Sequence, residues 1–508
     1  MTYRERIPLF LFAGVFGSAL FLNANAQYIQ QGSKLVGIGT PGTPAVGSSV
    51  SLSVDGNTLL VGAPIDSLRR GAALVFLREN GVWSQQGGKL VGTNAVWSGG
   101  EVSQGCSVAL SADGNTAIVG GCRDSSTVGA AWVFTRSGNV WSQQGNKLVG
   151  TAINNYGVYQ GYSVAISGDG NTVIFGGPGE SAAWVFVRSG DVWTEQQKLV
   201  GSGGVGTPQQ GRAVALSADG NTAIVGGYDD NYRVGAAWVF TRSGSTWTQQ
   251  GSKLVGTGYV GPPVYQAGAV ALSADGNTVL LGGTQDNGDI GATWVFVRSG
   301  GVWSQQGDKL VGTGGVIDIG MYQGCSVSLS GGGDTAIVGS SVDNWFTGAA
   351  WVFVRSGVVW SQLGSKLLAS DATGVPHQGC SVSMSGDGRT AAVGGYYDNN
   401  GVGAAWVYVN TPTDVTEFPM PESYELSQNF PNPFNPSTTI RYALPHSTNV
   451  SLAVYNQLGQ QVALLVQSEQ QAGWHEVRFH GTGLASGVYL CRLRAGAFAK
   501  TKRILLVR

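Results

Sequence analysis

Six aspartates return at one place in a repeating sequence. Asp66, Asp124, Asp230, Asp286, Asp343 and Asp398 each stand three residues after the last small residue of an apolar run. A carboxylate fixed in this way has two chemistries open to it. It can ligate Ca²⁺, which demands six to eight oxygens, usually from several carboxylates of one loop. It can instead bond backbone inside a turn. Only Asp286-Asn287-Gly288-Asp289 approaches the acidic density that calcium asks for. The six are therefore read as turn formers, with calcium as the alternative and no cofactor assigned. The third repeat lacks the aspartate, its loop being shortened to Pro178-Gly179-Glu180.

The other reactive side chains are sparse. His377 is the only histidine of the repeat region, so at most one histidine-based triad could be built there, and no accompanying motif supports one. It is expected on the surface of a loop. The Ser-x-Asp-Gly turns faintly resemble sialidase Asp-boxes, but a sialidase also wants several arginines converging on a carboxylate. Arg136, Arg188, Arg242, Arg298 and Arg355 recur in one Arg-Ser-Gly turn, which leaves Arg123, Arg212 and Arg233. No catalytic residue is assigned. Recognition chemistry is easier to place. Tyr228, Tyr232, Trp345, Phe346, Tyr396 and Tyr397 lie on loops that vary between repeats, and variable loops on a rigid scaffold commonly carry binding.

What must position these residues is a unit of roughly 52 to 58 residues, a period that signals propellers or solenoids. In the second unit Ser107–Ser111 and Thr116–Gly120 flank Asp113-Gly114-Asn115, a strong hairpin signal. Ala130–Phe134 and the segment around Val140-Trp141-Ser142 complete four strands, apolar on both faces, as in a blade packed between blades. Leu74, Trp132, Trp184, Trp238, Trp294, Trp351 and Trp406 recur on the third strand and are expected to wedge between blades. Six units end in a tryptophan strand, Trp83 through Trp360. A seventh copy, Tyr28 to Gly37, stands alone at the start, and the last unit lacks this segment. Closing a ring repairs the mismatch, whereas an open array leaves strand edges exposed.

Composition sets the compartment. The 508 residues carry a formal net charge of −1, with 12% charged residues and 81 glycines, which gives no reason to expect nucleic acid as partner. Arg4 and Arg6, the apolar stretch Ile7 to Leu22 and Ala24-Asn25-Ala26 read as a cleaved signal peptide, leaving no membrane span in the mature chain. Five cysteines are an odd and sparse set for a disulfide framework. Cys106, Cys325 and Cys380 share a repeat position with Ser49, Tyr162, Arg212 and Ala269, and one bridge, Cys106 to Cys122, is open.

Val46-Gly47-Ser48-Ser49-Val50, Val61-Gly62-Ala63-Pro64 and Gly71-Ala72-Ala73 resemble FG-GAP repeats. The resemblance covers about residues 28–410 and implies a seven-bladed propeller of the integrin-head type. After a proline-rich change at Thr411, a second resemblance begins. Asn429-Phe430-Pro431-Asn432-Pro433-Phe434, Val454-Tyr455-Asn456 with Gly459, Ser486-Gly487-Val488-Tyr489 and the basic Lys500, Lys502 and Arg503 are similar to the C-terminal sorting domain of the type IX (Por) secretion system. That resemblance implies recognition by the secretion machinery and export across an outer membrane. The expected organisation is all-β: a signal peptide (1–26), a seven-bladed β-propeller closed by an N-terminal strand (27–410), a linker (411–421) and a small Ig-like β-sandwich sorting domain (422–508). The expected function is secreted or cell-surface binding of a protein or glycan without catalysis. The alternatives are a glycan hydrolase or lyase using the variable rim, and a passive surface-layer role.

Overall fold

The computed structural model describes residues 26–97, 100–154, 156–412, 423–470 and 473–507. The signal peptide and most of the expected linker lie outside them. The chain divides into two compact units, Met1–Thr411 and Pro412–Arg508.

Among the described residues the first unit holds seven four-stranded antiparallel sheets. Blades 1 to 6 are built from consecutive strands spanning 49–85, 104–143, 164–199, 213–249, 266–305 and 326–362. In blade 2 the strands are Gln104–Leu110, Thr116–Gly121, Ala130–Ser137 and Val140–Gln143, in register Leu110↔Ala117, Val119↔Trp132 and Arg136↔Trp141. Gly114 takes the positive φ (66°) that its turn requires.

Blade 7 is assembled from both ends of the repeat region. Ala26–Gln30 lies outside Ala404–Pro412 in a sheet completed by Thr390–Gly395 and Ser381–Met384. The Gln31 amide donates to the Val407 carbonyl at 2.7 Å, and Leu35 exchanges both backbone bonds with Ala405. The edge strand that an open array would expose is thereby paired. The strand Ala404–Pro412 runs two residues into the expected linker.

The cores lie between blades. Leu60, Ala73 and Val75 of blade 1 pack with Val108, Val119, Trp132 and Phe134 of blade 2, and six further clusters repeat the arrangement. The cluster across the seam joins Ala392, Ala405 and Val407 to Val50, Val61, Leu74 and Phe76. The six tryptophans and Leu74 are fully buried, as their spacing predicts. Each indole removes roughly 200 Å² from water, on the order of 5 kcal/mol of gross apolar burial. The wedge needs a flat neighbour: a Cβ on Gly92 would stand 2.2 Å from the Trp132 ring.

The second unit is a two-sheet β-domain. One sheet holds Glu425–Leu426, Ser437–Leu444 and Gly473–His480. The other orders Gln461–Gln470, Thr448–Tyr455, Gly487–Ala495 and Phe498–Leu506. Leu426, Phe434, Ile440, Leu452, Cys491 and Ile504 are among the residues of its own core.

Candidate functional site

The recurring aspartates come to a rim formed by the loops between second and third strands and the crossings that enter each blade. They do not act there as the sequence suggests. Asp124 is fully buried, and one oxygen pairs with the Lys147 ammonium while the other accepts the Val96 amide of the crossing at 2.7 Å. Asp230 with Lys253, Asp286 with Lys309 and Asp343 with Lys366 repeat the pairing at 2.5 Å. Asp66 pairs with Lys89 at 2.5 Å, and Asp398 pairs with Lys34 at 2.6 Å. Each carboxylate thus ties a loop to the outer edge of its own blade and, in five blades, to the incoming crossing as well. This corrects both readings. A calcium ion would have to displace an ammonium and would find one carboxylate per blade, far from its demand. Among the described residues no three His, Cys, Asp or Glu side chains gather as a metal site.

The third blade is corrected too. Glu180 takes the missing aspartate's two partners on one oxygen, Oε1 accepting the Ile153 amide at 2.6 Å and the Lys198 ammonium at 3.1 Å while Oε2 is buried without a partner. Its longer side chain compensates for the shortened loop. Blade 1 also leaves one oxygen unpaired: Asp66 Oδ1 is buried without a partner. Six residues after the bridging Leu35, where Val96 follows Leu90, stands Pro41, which has no N–H to give.

A second recurring group was not anticipated. Gln104, Gln160, Gln210, Gln266 and Gln323 are buried, and each amide clamps both backbone groups of the glycine at a crossing, as Gln104 does with Gly92 (2.6 and 3.1 Å). The residue before this position has positive φ in every blade, Ala45, Ser103, Tyr159, Gln209, Tyr265, Tyr322 and His377, although in blade 1 the position itself holds Val46 rather than glutamine. The dipeptide Tyr-Gln, found three times, was its legible signal.

The six expected ligand-face aromatics separate into three situations. Tyr232 and Trp345 project from the rim, 82% and 60% exposed, on backbone with φ of 55° and 52°. Phe346, Tyr396 and Tyr397 form a cluster around His377, with ring centroids 4.9, 4.9 and 5.7 Å from the imidazole. His377 is therefore half-buried rather than a surface residue, and burial lowers its pKa below the ordinary value of 6.5. Tyr228 lies against Tyr265 at 5.4 Å and donates to Gln209 at 3.2 Å. Arg212 stands beside it. The repeat position of Arg212 is shared by Ser48 and Gly268, one residue before the Ser49 and Ala269 expected, as the register Ser49↔Gly62 and Ala269↔Gly282 fixes. Cys106, Cys325 and Cys380 share it also, and Cys106 and Cys122 are free thiols.

The opposite rim is stapled shut. Asp113 accepts Ser111 Oγ at 2.6 Å and the Asn115 amide at 2.9 Å. Arg136 donates to Asn115 and lies 5.3 Å over Trp141, whose indole N–H donates to Gln86 of the preceding blade at 2.9 Å. The same staple crosses the seam, where Trp83 donates to Gln31 at 3.1 Å. It is rebuilt at one place. Leu363 replaces the glutamine, Tyr28 the tryptophan and Asn410 the arginine, and the buried Tyr28 hydroxyl donates to the Gly388 carbonyl instead.

In the C-terminal unit the expected sorting residues are of two kinds. Phe434 and Tyr489 are buried, the Tyr489 hydroxyl donating to Ala485 at 2.8 Å. The Pro431 carbonyl accepts Thr438 Oγ1 at 2.9 Å, Pro433 precedes Phe434 in the same loop, Gly459 takes φ 78° in a turn, and Gly487 opens a strand. Lys500 and Arg503 are exposed and Lys502 partly so, along Phe498–Leu506.

The secretion system C-terminal sorting domain family matches residues 428–507, and the FG-GAP repeat family matches 193–240 and 360–408. No curated protein matches the chain. Among solved structures, the Kuenenia stuttgartiensis hydrazine synthase is 13% identical, covering 76% of this chain and 100% of its own, with a TM-score of 0.46. A β-propeller domain of Cps50 (Swd1) from Myceliophteria thermophila is 10% identical over 76% and 99%, at 0.45. PorZ, described as a surface component of the type IX secretion system of Porphyromonas gingivalis, is 13% identical over 91% and 59%, at 0.38. No helix among the described residues is long and apolar enough to cross a membrane. The sequence thus carries FG-GAP repeats on an all-β propeller scaffold and closes with the sorting domain that marks it as cargo of the type IX secretion system, bound for the cell surface or beyond.

Proposed function

We propose that the exported chain is a non-catalytic recognition module, whose propeller binds an extracellular protein or glycan through its variable rim. The N-terminal 26 residues are its signal peptide in this reading. One observation carries it: Tyr232 and Trp345 hold bulky, exposed rings on left-handed backbone. At that turn position blades 5 and 7 place Gly288 and Asn400, which take the conformation with little strain, while blade 2 places Ser126 and blade 1 an exposed Leu68 without a ring. A bulky residue there costs about 1 kcal/mol or more, and an exposed ring returns nothing to the fold. Strain of this kind clusters at ligand clamps.

The test is a glycan and extracellular-protein array probed with the full chain, with and without Ca²⁺, beside the double variant Tyr232→Ser/Trp345→Ser. A calcium-independent signal lost in the variant is the expected result. Uniform silence would contradict the reading, and turnover of an arrayed glycan would replace it with the enzymatic alternative.

A further inference from the structure

A depression of about 250 Å³ opens on the variable rim between blades 4, 5 and 6. Its wall carries Arg212 at a position where the repeat elsewhere accepts serine, cysteine, tyrosine or glycine, so the propeller itself does not require a cation there. The guanidinium carbon lies 4.4 Å from the ring centroid of Tyr162 and 5.1 Å from that of Tyr228. Among the described residues this side chain makes no ion pair and no hydrogen bond. Burial opposes its charge. An arginine presents five N–H donors in a planar fork suited to a carboxylate, and this fork faces a cavity whose lining contains no acid.

The rest of the lining is of one character. Tyr265 continues the aromatic wall from Tyr228, and Thr284 and Gln285 add a hydroxyl and an amide. Gly268 makes the space. Its neighbours at this position are Arg212 and Cys325, whereas a Cβ here would meet nothing nearer than 3.3 Å. The volume is below the roughly 300–1,000 Å³ of drug-sized sites and suits a single ring.

We propose that this depression binds the carboxylate-bearing ring of an acidic sugar. Arg212 pairs with the carboxylate, Tyr228 and Tyr265 carry the C–H face of the ring, and Thr284 and Gln285 bond its hydroxyls. An acidic peptide would satisfy the arginine but has no flat face for the tyrosine wall. This assignment rests on the rim-binding reading and names its ligand class.

Calorimetry on the full chain tests it, with D-glucuronate, D-glucose and a glutamate-containing pentapeptide as probes. Glucuronate should bind at least about tenfold more tightly than glucose or the peptide, as expected for a charge-assisted fork. Arg212→Gln should abolish that preference, Arg212→Lys should retain part of it, and Gly268→Leu, which fills the depression without touching the charge, should abolish binding in a chain whose circular dichroism stays that of the wild type. If Arg212→Gln fails to fold, the lysine and leucine variants decide. Equal binding of glucose and glucuronate, preference for the peptide, or binding indifferent to Arg212 and Gly268 would each overturn the proposal. Array binding that depends on Tyr232 and Trp345 but not on these two residues would overturn it while leaving the rim reading intact. Silence of all three calorimetric probes would overturn this proposal alone, and uniform silence of the array would sink both.

Discussion

Lys34 is one of seven rim lysines, and it is the one supplied from the far end of the repeat region. In five other blades the lysine follows its aspartate by 23 residues, whereas Lys34 reaches Asp398 across 364. Its ammonium lies 2.6 Å from Asp398 Oδ2 and 3.1 Å from Thr373 Oγ1, and the Asp398 side chain is 1% exposed. Lys34→Met leaves that carboxylate without a cation. Removing one partner of a buried pair costs roughly 3–5 kcal/mol. The lysine keeps water on one side and the Thr373 amide still bonds Oδ1, so about 2–3 kcal/mol is the better expectation here. Unfolding entropy of about 2 cal/mol/K per residue gives on the order of 0.8 kcal/mol/K for a propeller of this size, hence a drop of about 3 °C in melting temperature. Lys147→Met, the same change inside one blade, should cost about as much. Lys89→Met should cost more, because Asp66 lacks a backbone donor. Differential scanning calorimetry on the three variants reads this directly. If Lys34→Met melted with the wild type, as a free surface lysine would, the closure of blade 7 by the N-terminal strand would be refuted.

Three further outcomes follow from the same geometry. Gln86→Leu should destabilise by about 1–2 kcal/mol by leaving the Trp141 indole N–H without an acceptor, and adding Trp141→Tyr should recover part of it, since Leu363 and Tyr28 make that pairing naturally; denaturant melts check both. Burial alone would raise the Asp113 carboxyl, but donors from Ser111 and Asn115 outweigh it and hold the pKa below the ordinary value, as at Asp55, Asp169, Asp219, Asp275 and Asp387. A depressed carboxyl stabilises fully above its unfolded pKa near 3.9 and loses that contribution as pH falls through the folded value, so stability should fall below about pH 4, less steeply in Asp113→Asn. Reversing the charge of Lys500, Lys502 and Arg503 together should block export while the circular dichroism of the purified chain is unchanged, because these side chains lie outside the core of their domain.

Sequence patterning exposed the parts governed by local rules. Strand alternation, the Asp-Gly turns, the buried Trp132 series and the orphan Tyr28 segment all depend on neighbours a few residues away or on a count of repeats. The role of the rim aspartates escaped because it depends on register. Asp124 meets Lys147 only once two hairpins have folded the chain back, although the constant 23-residue interval was visible in five repeats. Glu180 escaped because function was carried by reach rather than by residue type. The setting of Arg212 escaped for a third reason: Tyr162, Tyr228 and Tyr265 come from different blades, and the repeat position itself carries no common chemistry.

The most direct test of the account compares the two rims. Once the array yields a ligand, its affinity should be measured for the full chain, for Tyr232→Ser/Trp345→Ser on the variable rim, and for Val140→Ser/Val302→Ser on the stapled rim, whose valines are equally exposed. The first pair should lose binding by about tenfold or more and the second pair should bind as the wild type does. Equal losses, or loss only on the stapled rim, would contradict the rim reading.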